Sequence, residues 1–107
     1  MNIQFKKGVL EICVLALLDK KDRYGYELVQ KISDRIAISE GSVYPLLRRL
    51  AKEKYFTTYL KESTEGPSRK YYRLTEDGRK YLYQLIDEWH EFTKGVNQII
   101  EEGVTDE

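Results

Sequence analysis

The chain has 107 residues, with 18 Lys and Arg against 18 Asp and Glu and 41% hydrophobic residues. That is enough for one small domain with one added element, and its modest core leaves apolar surface for a partner to cover. One cysteine excludes an intrachain disulfide and a thiolate metal cluster, and one histidine, with nothing local to present it as a base, excludes a Ser-His or Cys-His catalytic pair.

The zero net charge by itself argues against a strong nucleic-acid binder, but the charge is unevenly placed. Residues 1–41 carry a net +1, residues 42–73 a net +5 and residues 74–107 a net −6. A basic middle beside an acidic tail makes a bipolar molecule with the local positive patch that phosphate contacts require.

The first helix is expected over Lys6–Leu18. Glu11 is the only charge in Gly8–Leu18, so apolar residues cover nearly the whole circumference and the helix should be buried on most sides. Cys13 is expected to pack there as a small apolar residue. The run Val9–Leu18 is too short to cross a bilayer and lacks a cleavage site, so a cytoplasmic protein without membrane contact is expected. After the polar break Asp19–Asp22, a second helix is expected over Tyr24–Arg35, with Tyr24, Leu28, Val29 and Ile32 inward.

Ser39–Lys54 reads as a third amphipathic helix. Val43, Leu46, Leu47 and Leu50 form its apolar stripe; Gly41, Pro45, Arg48 and Lys52, flanked by Ser42, Tyr44 and Arg49, form the opposite face. Small residues near the start and Arg further along suit a DNA major groove, although an ordinary solvated basic face has the same composition. Its start is open: either Ser39 is the N-cap with Pro45 inside the helix, or Ser42 is the cap with Pro45 in the first turn.

Tyr55–Glu62 and Arg69–Leu74 read as strands around the turn cluster Ser63–Ser68. The second strand begins with Arg69 and Lys70. Two helices in succession, the second basic, followed by a basic-tipped hairpin, make a winged helix-turn-helix. Thr75 is the expected cap of the last helix, with Glu76 and Asp77 opposing its dipole. Leu82, Trp89 and Val96 are spaced by seven, as are Leu85, Phe92 and Ile99, giving a heptad seam that Ile86 and Ile100 widen. Such a seam reads as a dimerisation helix, weakened at Gly95, with residues 103–107 frayed. His90 is expected to be exposed.

Three motifs in order carry a family resemblance: Tyr24-Gly25-Tyr26-Glu27-Leu28, then residues 41–50 as Gly-Ser-Val-Tyr-Pro-Leu-Leu-Arg-Arg-Leu, then residues 66–78 as Gly-Pro-Ser-Arg-Lys-Tyr-Tyr-Arg-Leu-Thr-Glu-Asp-Gly. The chain resembles the PadR family of transcriptional regulators, of the short type with one C-terminal helix, from about Gly8 to Trp89. The resemblance implies a homodimeric, ligand-responsive DNA-binding protein, usually a repressor. It departs from the family at Ala51, where an acid is frequent, and at Lys54, where glycine is frequent; Lys54 must then take a left-handed conformation.

The expected class is a mainly α winged helix-turn-helix, with residues 1–75 as the DNA-binding domain and 76–107 as the dimerisation helix. Double-stranded operator DNA and a second copy are the expected partners, with no cofactor, metal or catalytic residue. Ser42, Tyr44 and Arg48 are placed on bases or phosphates, Arg49 and Lys52 on phosphates, and Arg69 and Lys70 at the wing. The resemblance adds Tyr24 as a phosphate contact. It also offers Trp89 as half of a sandwich for a flat hydrophobic effector, against the plainer reading of Trp89 as a large side chain of the dimer core. A winged-helix module that binds protein instead of DNA is the alternative; the basic middle segment favours DNA.

Overall fold

The computed structural model describes the backbone over residues 3–105 and the side chains over residues 8–104. The order is α1 (Ile3–Lys20), β1 (Arg23–Tyr24), α2 (Gly25–Ser33), α3 (Glu40–Lys52), β2 (Phe56–Ser63), β3 (Gly66–Leu74) and α4 (Glu76–Thr105). The strands form one antiparallel sheet in the order β1-β3-β2. This is the winged helix-turn-helix that the sequence predicts, with the long terminal helix.

Burial on several sides makes α1 the central element. Its Leu10, Val14, Leu15 and Leu18 join Leu28, Val29 and Ile32 of α2, Val43, Leu46, Leu47 and Leu50 of α3, and Phe56, Tyr72 and Leu74 of the sheet in one core. Cys13 is only half-buried, beside a groove, and burial raises its thiol above the ordinary value. Glu11 is the exception within this apolar helix: it is 8% exposed, accepts a 2.7 Å hydrogen bond from the Tyr81 hydroxyl and lies 3.3 Å from Arg49. A buried carboxylate needs such partners, and α4 and α3 each supply one.

Strand β1 is absent from the sequence reading, which starts the second helix at Tyr24 and gives Arg23 no element. Two residues show no periodicity; their pairing with Tyr71 and Tyr72 makes the strand. Arg23 is buried and satisfied, donating from Nε to the Leu17 carbonyl at 3.0 Å and from Nη1 to Glu27 at 2.9 Å. Helix α2 ends at Ser33, short of the expected Arg35, and Asp34 and Arg35 close the turn.

For α3 the earlier start holds. Ser39 is the extended N-cap, so Pro45 lies inside the helix. The Ser39 hydroxyl meets the Ser42 hydroxyl at 3.2 Å and makes no cap hydrogen bond to the backbone. Pro45 cannot donate to the Gly41 carbonyl, but both residues are exposed, so that carbonyl is not stranded in a dry interior.

The far end of α3 is a Schellman turn: Tyr55 N donates to the Leu50 carbonyl at 3.1 Å and Lys54 N to that of Ala51 at 3.0 Å. Lys54 has φ 65°, the left-handed conformation expected for it. Thr75 caps α4 as predicted: its hydroxyl donates to the Lys54 carbonyl at 2.8 Å and accepts from Gly78 N at 3.0 Å. A Cβ at Gly78 would lie 1.9 Å from the Tyr55 carbonyl oxygen, so only glycine permits this approach of α4 to the end of α3. Beyond the cap, α4 stays helical to Thr105, further than the expected fraying at residue 103; Asp106 and Glu107 lie outside the described residues.

Candidate nucleic-acid interface

The packing of α2 against α3 starts at Gly25. A Cβ there would meet the Tyr44 ring at 3.0 Å, closer than a side chain settles without displacing its neighbour. Glycine therefore lets Tyr44 of α3 lie against the first turn of α2. Together with the wing they form an open cleft of about 400 Å³, lined by Tyr24, Gly25, Tyr26, Tyr44, Arg48, Arg69, Lys70 and Tyr72. Three cations and four phenols line it, and no acid does.

The cleft gathers Tyr24, Tyr44, Arg48, Arg69 and Lys70, five of the residues singled out in the sequence. Arg69 and Lys70 reach it differently, because neighbours on a strand point to opposite faces. Lys70 lies on the inner face, its ammonium 5.9 Å from the Tyr72 ring; Arg69 starts on the outer face and folds over the Tyr24 ring at 4.6 Å. Burial first, then Glu40 and Tyr26, raise the Tyr44 phenol above its ordinary value, so it stays protonated at neutral pH and can donate a hydrogen bond. Ser42 and Lys52 are exposed on α3, outside the cleft lining.

Arg49 departs from the expectation of a phosphate contact. Its guanidinium is drawn to Glu11 at 3.3 Å and to Glu53 at 3.2 Å, since the nearly buried Glu11 carboxylate needs a counter-charge. Arg48, Lys52, Arg69 and Lys70 form no ion pair among the described residues. Sequence reasoning missed Tyr26 and Tyr72 as cleft residues. For Tyr72 the signal was present, because period-two alternation puts it on the Lys70 face of β3.

Comparison with known proteins settles what carries this surface. The model of the PadR-like transcriptional regulator family matches residues 14–84, spanning the cleft, the wing and the start of α4. The chain belongs to the PadR-like family. It is a DNA-binding transcriptional regulator, not an enzyme. It is similar to a PadR-like transcriptional regulator from Bacillus cereus, at 41% identity, TM-score 0.82, and coverage of 92% of this chain and 97% of that one. It also resembles a PadR-like transcription factor from Bacteroides fragilis, at 41% identity, TM-score 0.75, and coverage of 90% and 94%. An uncharacterized protein of Lysinibacillus sphaericus is 37% identical over 99 residues, 89% of this chain and 91% of that one.

In this PadR-like chain the heptad seam of α4 divides along its length. Leu82, expected between subunits, is 1% exposed and belongs to the core of the chain itself, because the first turns of α4 pack on α1. Leu85, Ile86 and Trp89 are half-buried, with Leu85 and Ile86 against that core. Phe92, Val96 and Ile99 are 54%, 38% and 70% exposed, and Ile100 and Val104 extend the apolar stripe. The Trp89 and Phe92 rings lie 6.4 Å apart. His90 is exposed, as expected. Among the described residues no helix is long and apolar enough to cross a membrane, and no cluster of His, Cys, Asp and Glu could hold a metal.

Proposed function

We propose that the protein acts in the cytoplasm as a homodimeric repressor that binds a pseudo-palindromic operator. The observation that carries this is the cationic cleft where α2, α3 and the wing meet, whose lining holds three cations and no acid. In this reading residues 1–75 bind DNA and residues 76–107 join the subunits. Two α3 helices, one per subunit, enter successive major grooves about 34 Å apart. Ser42, Tyr44 and Arg48 contact base edges or phosphates, Tyr24 and Lys52 hold phosphates, and Arg69 and Lys70 follow the backbone at the minor groove. Arg49, held by two carboxylates, braces α3 against α1.

The apolar stripe of α4 supports the dimer, since a contiguous exposed patch of Phe, Val and Ile favours burial against a second copy. A groove of about 680 Å³ between α1 and α2, with Cys13, Ala16 and Leu17 along it, offers that copy's helix a second seat. If the two Trp89 indoles face one another, a flat apolar effector stacks between them and changes the angle of the α4 pair. The effector switches DNA affinity only through unequal affinity for the two dimer shapes.

A gel shift with the protein's own upstream DNA at rising salt tests the first claim. Affinity should fall steeply as released counterions become costly to displace; binding indifferent to salt refutes it. Trp89 fluorescence should be quenched by planar cationic drugs, and silence across a broad panel would leave Trp89 as packing alone.

A further inference from the structure

The outer face of the sheet carries an arrangement that the cleft shares only at Tyr24 and Arg69. Tyr24, Tyr71 and Tyr59 stand in one row across β1, β3 and β2. Neighbouring ring centroids are 5.5 and 5.6 Å apart. A cation lies over each ring: Arg69 over Tyr24 at 4.6 Å, Lys61 over Tyr71 at 5.2 Å and Arg73 over Tyr59 at 4.9 Å. Asp22 holds one end of the row, accepting from the Tyr59 hydroxyl at 2.7 Å and from Arg73 Nε at 3.0 Å. Three cations against one acid leave the face positive.

We propose that this face is a second DNA contact, holding phosphates of the duplex beyond the half-site that α3 reads; the proposal rests on the operator-binding reading above. Two features select this occupant. First, the face is continuous with the cleft, because Tyr24 and Arg69 belong to both. Second, the cations already cover the rings, so a nucleobase would have to displace them to stack, whereas a phosphate needs only their outward N–H groups. Guanidiniums held over tyrosine rings are pre-ordered, which lowers the entropy lost on gripping a phosphate. Flanking DNA that curves toward the wing would meet this face, in the way bent duplexes wrap more protein surface.

The test compares two duplexes, one limited to the footprint of the protein and one extended by about one helical turn on each side. Wild type should bind the extended duplex more tightly and with a steeper salt dependence. Lys61→Gln and Arg73→Gln should remove that difference, lowering the slope of log affinity against log salt by about 0.9 per lost phosphate contact, and should bind the short duplex as wild type does. Lys61→Gln stands alone if Arg73→Gln unfolds, since Lys61 gives up only a ring contact. Variants that keep the full advantage of the long duplex overturn the proposal. So does a single-stranded oligonucleotide that outcompetes it, in favour of base stacking. Failure of wild type to bind either duplex is distinguishable: it removes the operator reading itself and this proposal with it.

Discussion

The Arg49 guanidinium lies within 3.3 Å of Glu11 and 3.2 Å of Glu53, while that of its neighbour Arg48 lines a cleft without an acid. Arg49→Gln should therefore cost about 1–3 kcal/mol of stability by depriving a buried carboxylate of a partner, and leave the salt dependence of DNA binding unchanged. Arg48→Gln should do the reverse, leaving stability intact and lowering the salt slope by about 0.9 per lost phosphate contact. Urea melts beside gel shifts at several salt concentrations separate the two. The same Glu11 governs a response to alkali. Burial first, then the bond to Glu11, raise the Tyr81 phenol above its ordinary value of 10.0. The folded chain thus keeps a proton that the unfolded chain releases, so this stability is complete below about pH 10 and declines as pH rises beyond it. Stability measured from pH 8 to 11.5 should fall at the upper end, and less steeply in Tyr81→Phe.

At the level of elements, the junction between α3 and α4 is built from backbone constraints. Lys54 pays for a left-handed conformation at the end of α3, and its carbonyl receives the Thr75 hydroxyl that caps α4. Glycine takes that conformation freely, so Lys54→Gly should stabilise by about 1 kcal/mol, raising Tm by about 4 °C at fixed protein concentration. Gly78→Ala should act oppositely and more strongly, since its Cβ would strike the Tyr55 carbonyl. A loss of about 3 kcal/mol is expected from the overpacking alone, and an unchanged melting curve would show that the junction yields easily. Residue types made part of this junction legible. Thr75 with Glu76 and Asp77 marks a capped helix start, whereas the left-handed turn at Lys54 was implied only by the family resemblance, in which glycine is frequent at that position. The short strand β1 was not legible, because two residues have no pattern of their own and take their form from Tyr71 and Tyr72 across the sheet.

Across the whole molecule, the described chain extends 62 Å along its longest axis, while α4 carries its apolar stripe to Val104. Placing a carboxylate in that stripe, as in Ile99→Glu, should convert dimers to monomers in analytical ultracentrifugation. Operator affinity should drop by 100-fold or more, on the order of the roughly 3 kcal/mol lost when two half-sites no longer act as one. Persistence of a tight dimer would place the interface elsewhere. The seam also shows where a pattern stops informing. Leu82 and Ile99 obey one heptad rule, yet Leu82 is buried in the core of the chain itself and Ile99 is exposed.

By itself the sequence determined the helix-turn-helix, the wing, the Thr75 cap of α4 and the separation of basic middle from acidic tail, because these rest on local periodicity, turn chemistry and residue counts. Only the tertiary structure decided which cations remain open to an anion. Arg49 meets a carboxylate 38 residues away in the chain, at Glu11, whereas Arg48 and Lys70 meet none among the described residues. A charge is neutralised by whatever lies within a few ångströms of it, and that distance is set by how the chain folds back on itself.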